Sequence, residues 1–203
     1  MTFPYKKVLI VGCGGSGKST LAREMGKRFG LPVVHLDRIW WRAGWAHVTR
    51  EEFDQALAVE LKKSAWIIDG DYSRTFAMRL EHADFCVLLD LDTQTCLESA
   101  YERARKYRGK TRPDMTEGCE ERVDAEFEQW ILRFKQDVLP KMLEILKESG
   151  VTHRVFTTRE EAYAWMNGFE RTEAQEDGDA LPGDTDALRA NILDGKNPGR
   201  DSL

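Results

Sequence analysis

Nine consecutive residues constrain this chain more than any other stretch: Gly12-Cys13-Gly14-Gly15-Ser16-Gly17-Lys18-Ser19-Thr20. A glycine, four residues, then Gly-Lys-Ser is the phosphate-loop pattern. It has chemical meaning only between a strand and a helix, where backbone N–H groups and the positive end of a helix dipole converge on one anion. Both flanks are present. Lys7–Val11 (KVLIV) is a short β-branched apolar run of the kind buried on both faces of a sheet, and Ser19–Phe29 reads as a helix stopped by Gly30-Leu31-Pro32. The glycines at 12, 14, 15 and 17 let the backbone approach phosphate oxygens with no Cβ in the way. Lys18 would neutralise the β and γ phosphates of a bound ATP, the Ser19 hydroxyl would ligate Mg²⁺, and Thr20 would reach the α phosphate.

Strand and helix signals alternate along the rest of the chain. Val33–Leu36, Trp66–Ile68, Phe85–Leu91 and Val151–Thr157 are short apolar strands. Thr49-Arg-Glu-Glu52 and Thr158-Arg-Glu-Glu161 are capping boxes that open helices, and a third helix follows Asp92-Thr93. A long helical pattern from Glu120 to Glu148 meets Pro140, which should kink or split it. Such alternation implies a parallel sheet with helices on both faces and a ligand site at the carboxyl ends of the strands.

Candidate residues cluster where that site should be. Asp37, at the end of the second strand, would bind an acceptor hydroxyl, act as general base or hold a Mg²⁺ water. Trp40, Trp41 and Trp45 follow within six residues. They suit either the small core of a substrate-covering subdomain or, through Trp41, stacking on a flat acceptor. Asp69 ends the apolar run Trp66-Ile67-Ile68 and is placed to hold the Mg²⁺ hydration shell opposite Ser19. Arg74 is a candidate for an anionic group of the acceptor. Residues 103–112 carry six cations and no acid around Gly109, as a lid closing over phosphates and stabilising charge on the transferring group would.

Composition sets outer limits. Of the net charge of −5 over 203 residues, residues 170–203 contribute nine acids against four bases, and residues 1–169 carry 26 of each sign. A neutral body gives no broad basic face for DNA, so DNA contact rests on the lid cluster alone. The acidic end, poor in large apolar side chains, reads as a disordered tail beyond a single domain of residues 1–169. Cys13, Cys86, Cys96 and Cys119 fit neither a metal spacing nor a disulfide scaffold and read as free thiols. The apolar runs are far shorter than the roughly 20 residues that span a bilayer, and no apolar leader follows the first residues, which suggests a cytoplasmic protein without membrane attachment.

The loop Gly12–Ser19, the Leu36-Asp37 step, Trp66–Tyr72 (WIIDGDY) and Tyr107-Arg-Gly-Lys-Thr-Arg-Pro-Asp114 together resemble the topology modulation proteins, a bacterial family similar to the adenylate and shikimate kinase group of phosphate-loop kinases. The resemblance covers roughly residues 7–167. It implies a P-loop NTPase fold: three layers around a five-stranded parallel sheet in the order 2-3-1-4-5. An acceptor subdomain would lie near residues 38–65 and a lid near 105–120, and Lys18, Ser19, Asp37, Asp69, Arg103, Arg108 and Arg112 would take the roles given above. Asp71, where the family usually has asparagine, and Ser99, where arginine is frequent, depart from its pattern. The expected activity is ATP-dependent phosphoryl transfer to a small-molecule acceptor. The alternative is a nucleotide-binding regulator of DNA topology with little acceptor chemistry.

Overall fold

The computed structural model describes residues 1–172. The elements run β1 (Lys7–Gly12), α1 (Lys18–Phe29), β2 (Val33–His35), α2 (Leu36–Trp40), β3 (Trp41–Arg42), β4 (Ala46–His47), α3 (Arg50–Leu61), β5 (Trp66–Asp69) and α4 (Phe76–Leu80). They continue with β6 (Phe85–Leu89), α5 (Thr93–Lys106), α6 (Ala125–Asp137), α7 (Leu139–Ser149), β7 (His153–Phe156) and α8 (Arg159–Asn167). The large sheet is ordered β2-β5-β1-β6-β7, all parallel, with helices on its two faces. Counted within that sheet alone, this is the order 2-3-1-4-5.

The apolar β-branched run dictates the centre. Val8, Leu9, Ile10 and Val11 are fully buried because β1 has a strand on each side and helices above and below. Its register sets Val8 opposite Ile67 on β5 and Phe85 on β6, so both neighbours deliver their carboxyl ends to the level of the phosphate loop. Both capping boxes form: Thr49 Oγ1 accepts from the Glu52 N–H at 3.1 Å, and Thr158 Oγ1 from that of Glu161 at 3.2 Å. Pro140 splits the long helical pattern. It sits in the first turn of α7, where its missing N–H removes no helical bond, and α6 ends at Asp137.

Several boundaries differ from the sequence pattern, among them β7, which spans His153–Phe156 rather than Val151–Thr157. The long helix begins at Ala125, not Glu120, because Asp124 caps it, and residues 113–124 form neither helix nor strand. β6 ends at Leu89, since Asp90 turns away and Asp92 caps α5. β2 ends at His35, and Leu36, fully buried, begins a one-turn helix, so Asp37 lies in the first turn of α2 rather than on a strand. The hairpin β3–β4 has no counterpart in the sequence reading, because two-residue strands lack a periodic signal.

Residues 170–172 pack onto the body. The Glu170 N–H donates to the Met1 carbonyl at 3.0 Å and that of Thr172 to the Arg28 carbonyl at 3.0 Å. The rest of the expected tail lies outside the described residues. Among the described residues, no helix is long and apolar enough to cross a membrane.

Candidate active site

The phosphate loop leaves β1 and enters α1 with its outer surface packed on neighbouring elements. A Cβ on Gly15, whose φ is +78°, would lie 2.0 Å from the Cys96 carbonyl oxygen on α5; one on Gly14 would lie 2.6 Å from the Phe127 ring on α6. These positions exclude side chains because the neighbouring elements pack directly against the loop. Lys18 Nζ donates to the Cys13 carbonyl at 3.3 Å, spanning the loop. Gly12 and Ser16 are buried, and the Ser16 hydroxyl has no hydrogen-bond partner among the described residues, a buried donor within a loop of backbone amides. Such a cradle fits the oxygens of a polyphosphate. Thr20 faces solvent at the loop's far edge.

Across the mouth of the loop, Ser19 Oγ donates to Asp69 Oδ2 at 2.5 Å, and the other Asp69 oxygen meets His35 Nδ1. β1 and β5 are adjacent and in register, which is why a hydroxyl and a carboxylate 50 residues apart meet here. This pair suits a hard, oxygen-seeking cation such as Mg²⁺, with phosphate and water completing its shell. Burial opposes a charge on His35, but Asp69 outweighs it and holds the imidazole pKa above its usual value.

Asp37 faces the same cleft. It accepts from the Tyr72 hydroxyl at 3.0 Å and from Arg112 at 2.8 Å. Arg112 also pairs with Asp114 at 3.1 Å and Glu121 at 3.0 Å; Arg103 reaches Glu121 at 2.7 Å, and Arg23 on α1 reaches Asp114 at 3.0 Å. Burial disfavours the Arg112 charge, yet Asp37, Asp114 and Glu121 more than compensate and raise its pKa. Burial likewise would raise the Asp114 pKa, but Arg112, His35 and Arg23 together bring it below the ordinary carboxylate value. Three arginines thus face three carboxylates in a largely buried network.

Around that network, residues 116–120 bond to residues 38–45. The Thr116 hydroxyl donates to the carbonyls of Arg38 (3.2 Å) and Trp41 (2.8 Å), Cys119 Sγ to the Arg42 carbonyl (3.0 Å), and Trp45 Nε1 to the Glu120 carbonyl (3.0 Å). The tryptophans pack rather than stand free: Trp40 stacks on His47 and meets Phe53 and Tyr72 edge-on, while Trp41 meets Trp45 edge-on.

The sequence-predicted residues therefore divide. Lys18, Ser19, Asp69, Asp37 and Arg112 converge on one cleft. Arg103 joins through Glu121. Arg108 is exposed. Arg74 lies outside: it forms a forked pair with Asp54 on α3, 2.9 and 2.5 Å, because the turn at Tyr72, with φ +33°, directs residues 73–75 toward α3.

Several residues of the site carry no motif. Arg79 is fully buried and donates to the carbonyls of Gly70, Asp71 and Tyr72, clamping the turn that follows Asp69. Burial pulls its pKa down to about 10. Asp71, held by that turn, has a buried oxygen with no partner among the described residues, and burial raises its pKa against the opposing pull of Lys18 and Arg79. Arg79 stands between Phe76 and Leu80 on an otherwise apolar face, the one sequence hint of an interior arginine.

No protein-family model and no curated protein sequence matches the chain. Among solved structures, a shikimate kinase from Acinetobacter baumannii in complex with shikimate is 18% identical with a TM-score of 0.51, over 80% of this chain and 89% of that one. A shikimate kinase from Bacteroides thetaiotaomicron is 15% identical with a TM-score of 0.49, over 81% and 96%. A sugar kinase from Janibacter sp. HTCC2649 is 16% identical with a TM-score of 0.47, over 81% and 95%. At these identities the first of them establishes one thing, that the five-stranded α/β architecture described above is shared.

Proposed function

We propose that the protein is a phosphotransferase that moves the terminal phosphoryl group of ATP to a small-molecule acceptor, with Mg²⁺ held near Ser19 and Asp69. The observation that carries this reading is the meeting of Ser19 with Asp69 at the mouth of the phosphate loop, in the cleft that also holds Asp37 and the lid arginine Arg112. A hydrolase needs a group that orients water; a transferase needs an acceptor pocket that excludes it, and the latched lid is suited to exclusion. Mg²⁺ would supply charge neutralisation on the phosphates.

The chain's own groups divide the work. The loop amides and Lys18 hold the phosphates, and Asp37 orients the acceptor hydroxyl or takes its proton. Arg112, paired with Asp37 in the closed state, is placed to trade that partner for developing charge on the transferring group. The fold relative from A. baumannii holds shikimate, and the acceptor proposed here is likewise a small molecule. The narrower likeness to topology modulation proteins rests on the Trp66–Tyr72 and Tyr107–Asp114 segments.

The test is ADP formation from Mg·ATP with and without nucleoside monophosphates, nucleosides and small hydroxyl or amino compounds, using Lys18→Ala as the blank. An acceptor that both stimulates ADP formation and gains phosphate is the expected result, with Lys18→Ala about 100-fold slower or worse. Equal turnover by a folded Lys18→Ala protein would falsify the loop assignment.

A second reading, a nucleotide-dependent DNA contact, is favoured by one observation: Arg105, Lys106, Arg108 and Lys110 of the basic run are exposed. It requires DNA binding that falls steeply with salt. No binding at low salt eliminates it.

A further inference from the structure

Arg159, the first residue of α8, lies 143 positions from Ser16 in sequence, yet its guanidinium grips the outer side of the phosphate loop. Its Nε donates to the Ser16 carbonyl at 3.0 Å. One terminal nitrogen donates to the Gly15 carbonyl at 2.6 Å and to the Ser99 hydroxyl on α5 at 2.8 Å. Arg159 is partly buried and, among the described residues, has no carboxylate partner. This sets it apart from Arg103 and Arg112, whose charges are met by acids.

The backbone consequence follows from peptide geometry. A planar trans peptide points its C=O and its N–H to opposite sides. With the Ser16 carbonyl drawn outward to Arg159, the Gly17 N–H points to the concave side, where the N-terminus of α1 also presents its amides. The Ser16 N–H, paired with the Gly15 carbonyl in its own plane, closes the loop's inner turn on the Cys13 carbonyl at 3.2 Å. Positive φ at Gly15 (+78°) and Gly17 (+95°), on either side of Ser16, curls successive amides around one point. The turn bond to Cys13 holds the curl from inside, and the Arg159 clamp on the Gly15 and Ser16 carbonyls holds it from outside.

We propose that Arg159 is a positioning residue for the polyphosphate: it presets the amide curl and places an unneutralised positive charge behind it, so that affinity for the phosphate chain, and not for the base, depends on it. The proposal rests on the phosphate-loop reading above. Its ligand class is a nucleoside triphosphate or any linear polyphosphate.

The experiment is calorimetric titration of the full chain with Mg·ATP and, separately, with inorganic tripolyphosphate, which has no base. The proteins are wild type, Lys18→Ala, Arg159→Ala and Arg159→Lys. Loss of two charge-assisted bonds is expected to weaken both ligands about 10- to 100-fold in Arg159→Ala. Arg159→Lys, which keeps the charge and loses the fork, should fall between Arg159→Ala and wild type. Wild-type affinity for tripolyphosphate in Arg159→Ala, where Lys18→Ala has lost it, overturns the role of Arg159 and leaves the loop assignment standing. Weakening of ATP alone overturns it too, by moving Arg159 to the base. Tripolyphosphate binding by wild type that Lys18→Ala fully retains, or no binding by wild type, removes the loop assignment itself and this proposal with it. Should Arg159→Ala not fold, wild-type affinity in a folded Arg159→Lys protein is the overturning result.

Discussion

Arg79 is fully buried and, among the described residues, has no carboxylate in ion-pair contact, yet it clamps the turn that follows Asp69. Its three carbonyl contacts hold Gly70, Asp71 and Tyr72 in a turn that includes a non-glycine residue at positive φ. That conformation costs on the order of 1 kcal/mol or more, and persists only where the surroundings impose it. Replacing Arg79 with leucine would leave those carbonyls unmet and free the turn that carries Asp71 and Tyr72. We expect Arg79→Leu to lose about 3–5 kcal/mol of stability in urea unfolding. A loss below about 1 kcal/mol would show that the turn holds itself. Asp37 is less entangled: its partners are the Tyr72 hydroxyl and Arg112, and Tyr72→Phe removes one of them without creating a cavity. If Asp37 acts on the acceptor, Tyr72→Phe should alter the acceptor dependence of turnover while ATP binding by calorimetry stays at the wild-type value.

Among the elements, α3 and α8 are specified by their first turns and their buried faces together. Each capping box satisfies two backbone donors that the helix leaves unpaired. Thr49→Ala should cost about 1 kcal/mol, read as a lower urea midpoint with an unchanged slope. Thr158→Ala removes a cap of the same kind, but α8 also carries Arg159. We therefore expect its stability loss to resemble that of Thr49→Ala, whereas its polyphosphate affinity falls and that of Thr49→Ala does not. Equal affinities in the two variants would show that α8 holds Arg159 in place without its cap. β1 needs no such device. Four consecutive apolar residues bury it between two paired strands, in a register that sets Ile10 opposite Asp69 and Gly12 opposite Leu89.

For the molecule as a whole, the latch between residues 112–121 and residues 37–45 is electrostatic at its centre and hydrogen-bonded at its rim. Asp114 links Arg112 of the lid to Arg23 of α1. Its folded pKa lies below the unfolded value of about 3.9, so its contribution is fully present above that value and is lost as pH falls through the lower, folded one. Wild type should therefore lose its stability advantage over Asp114→Asn progressively as pH drops below about 4, in urea titrations run from pH 6 downward. An advantage that grows with acidification would mean that Asp114 is not held as an anion by the latch.

What the residues announced locally, they determined. The phosphate loop, the capping boxes, the β-branched central strand and the proline break were legible because each is a contact between near neighbours in sequence, or a periodicity set by one element. The meeting of Ser19 with Asp69 was legible for a related reason: a loop after one strand and an aspartate ending another come together where parallel strands lie side by side. The rest depended on tertiary packing. Nothing local to Arg74 told that a positive-φ turn would aim it at Asp54, and nothing local to Arg79 or Arg159 told that their guanidinium groups would be spent on backbone carbonyls. An arginine's long stem lets its charge act several residues' width from its Cα, so its partner is chosen by the fold. The basic run of residues 103–112 was read correctly as cationic, but the acids that meet Arg103 and Arg112 come from beyond it in Asp114 and Glu121 and from across the cleft in Asp37. Charge balance was settled only when the chain closed on itself.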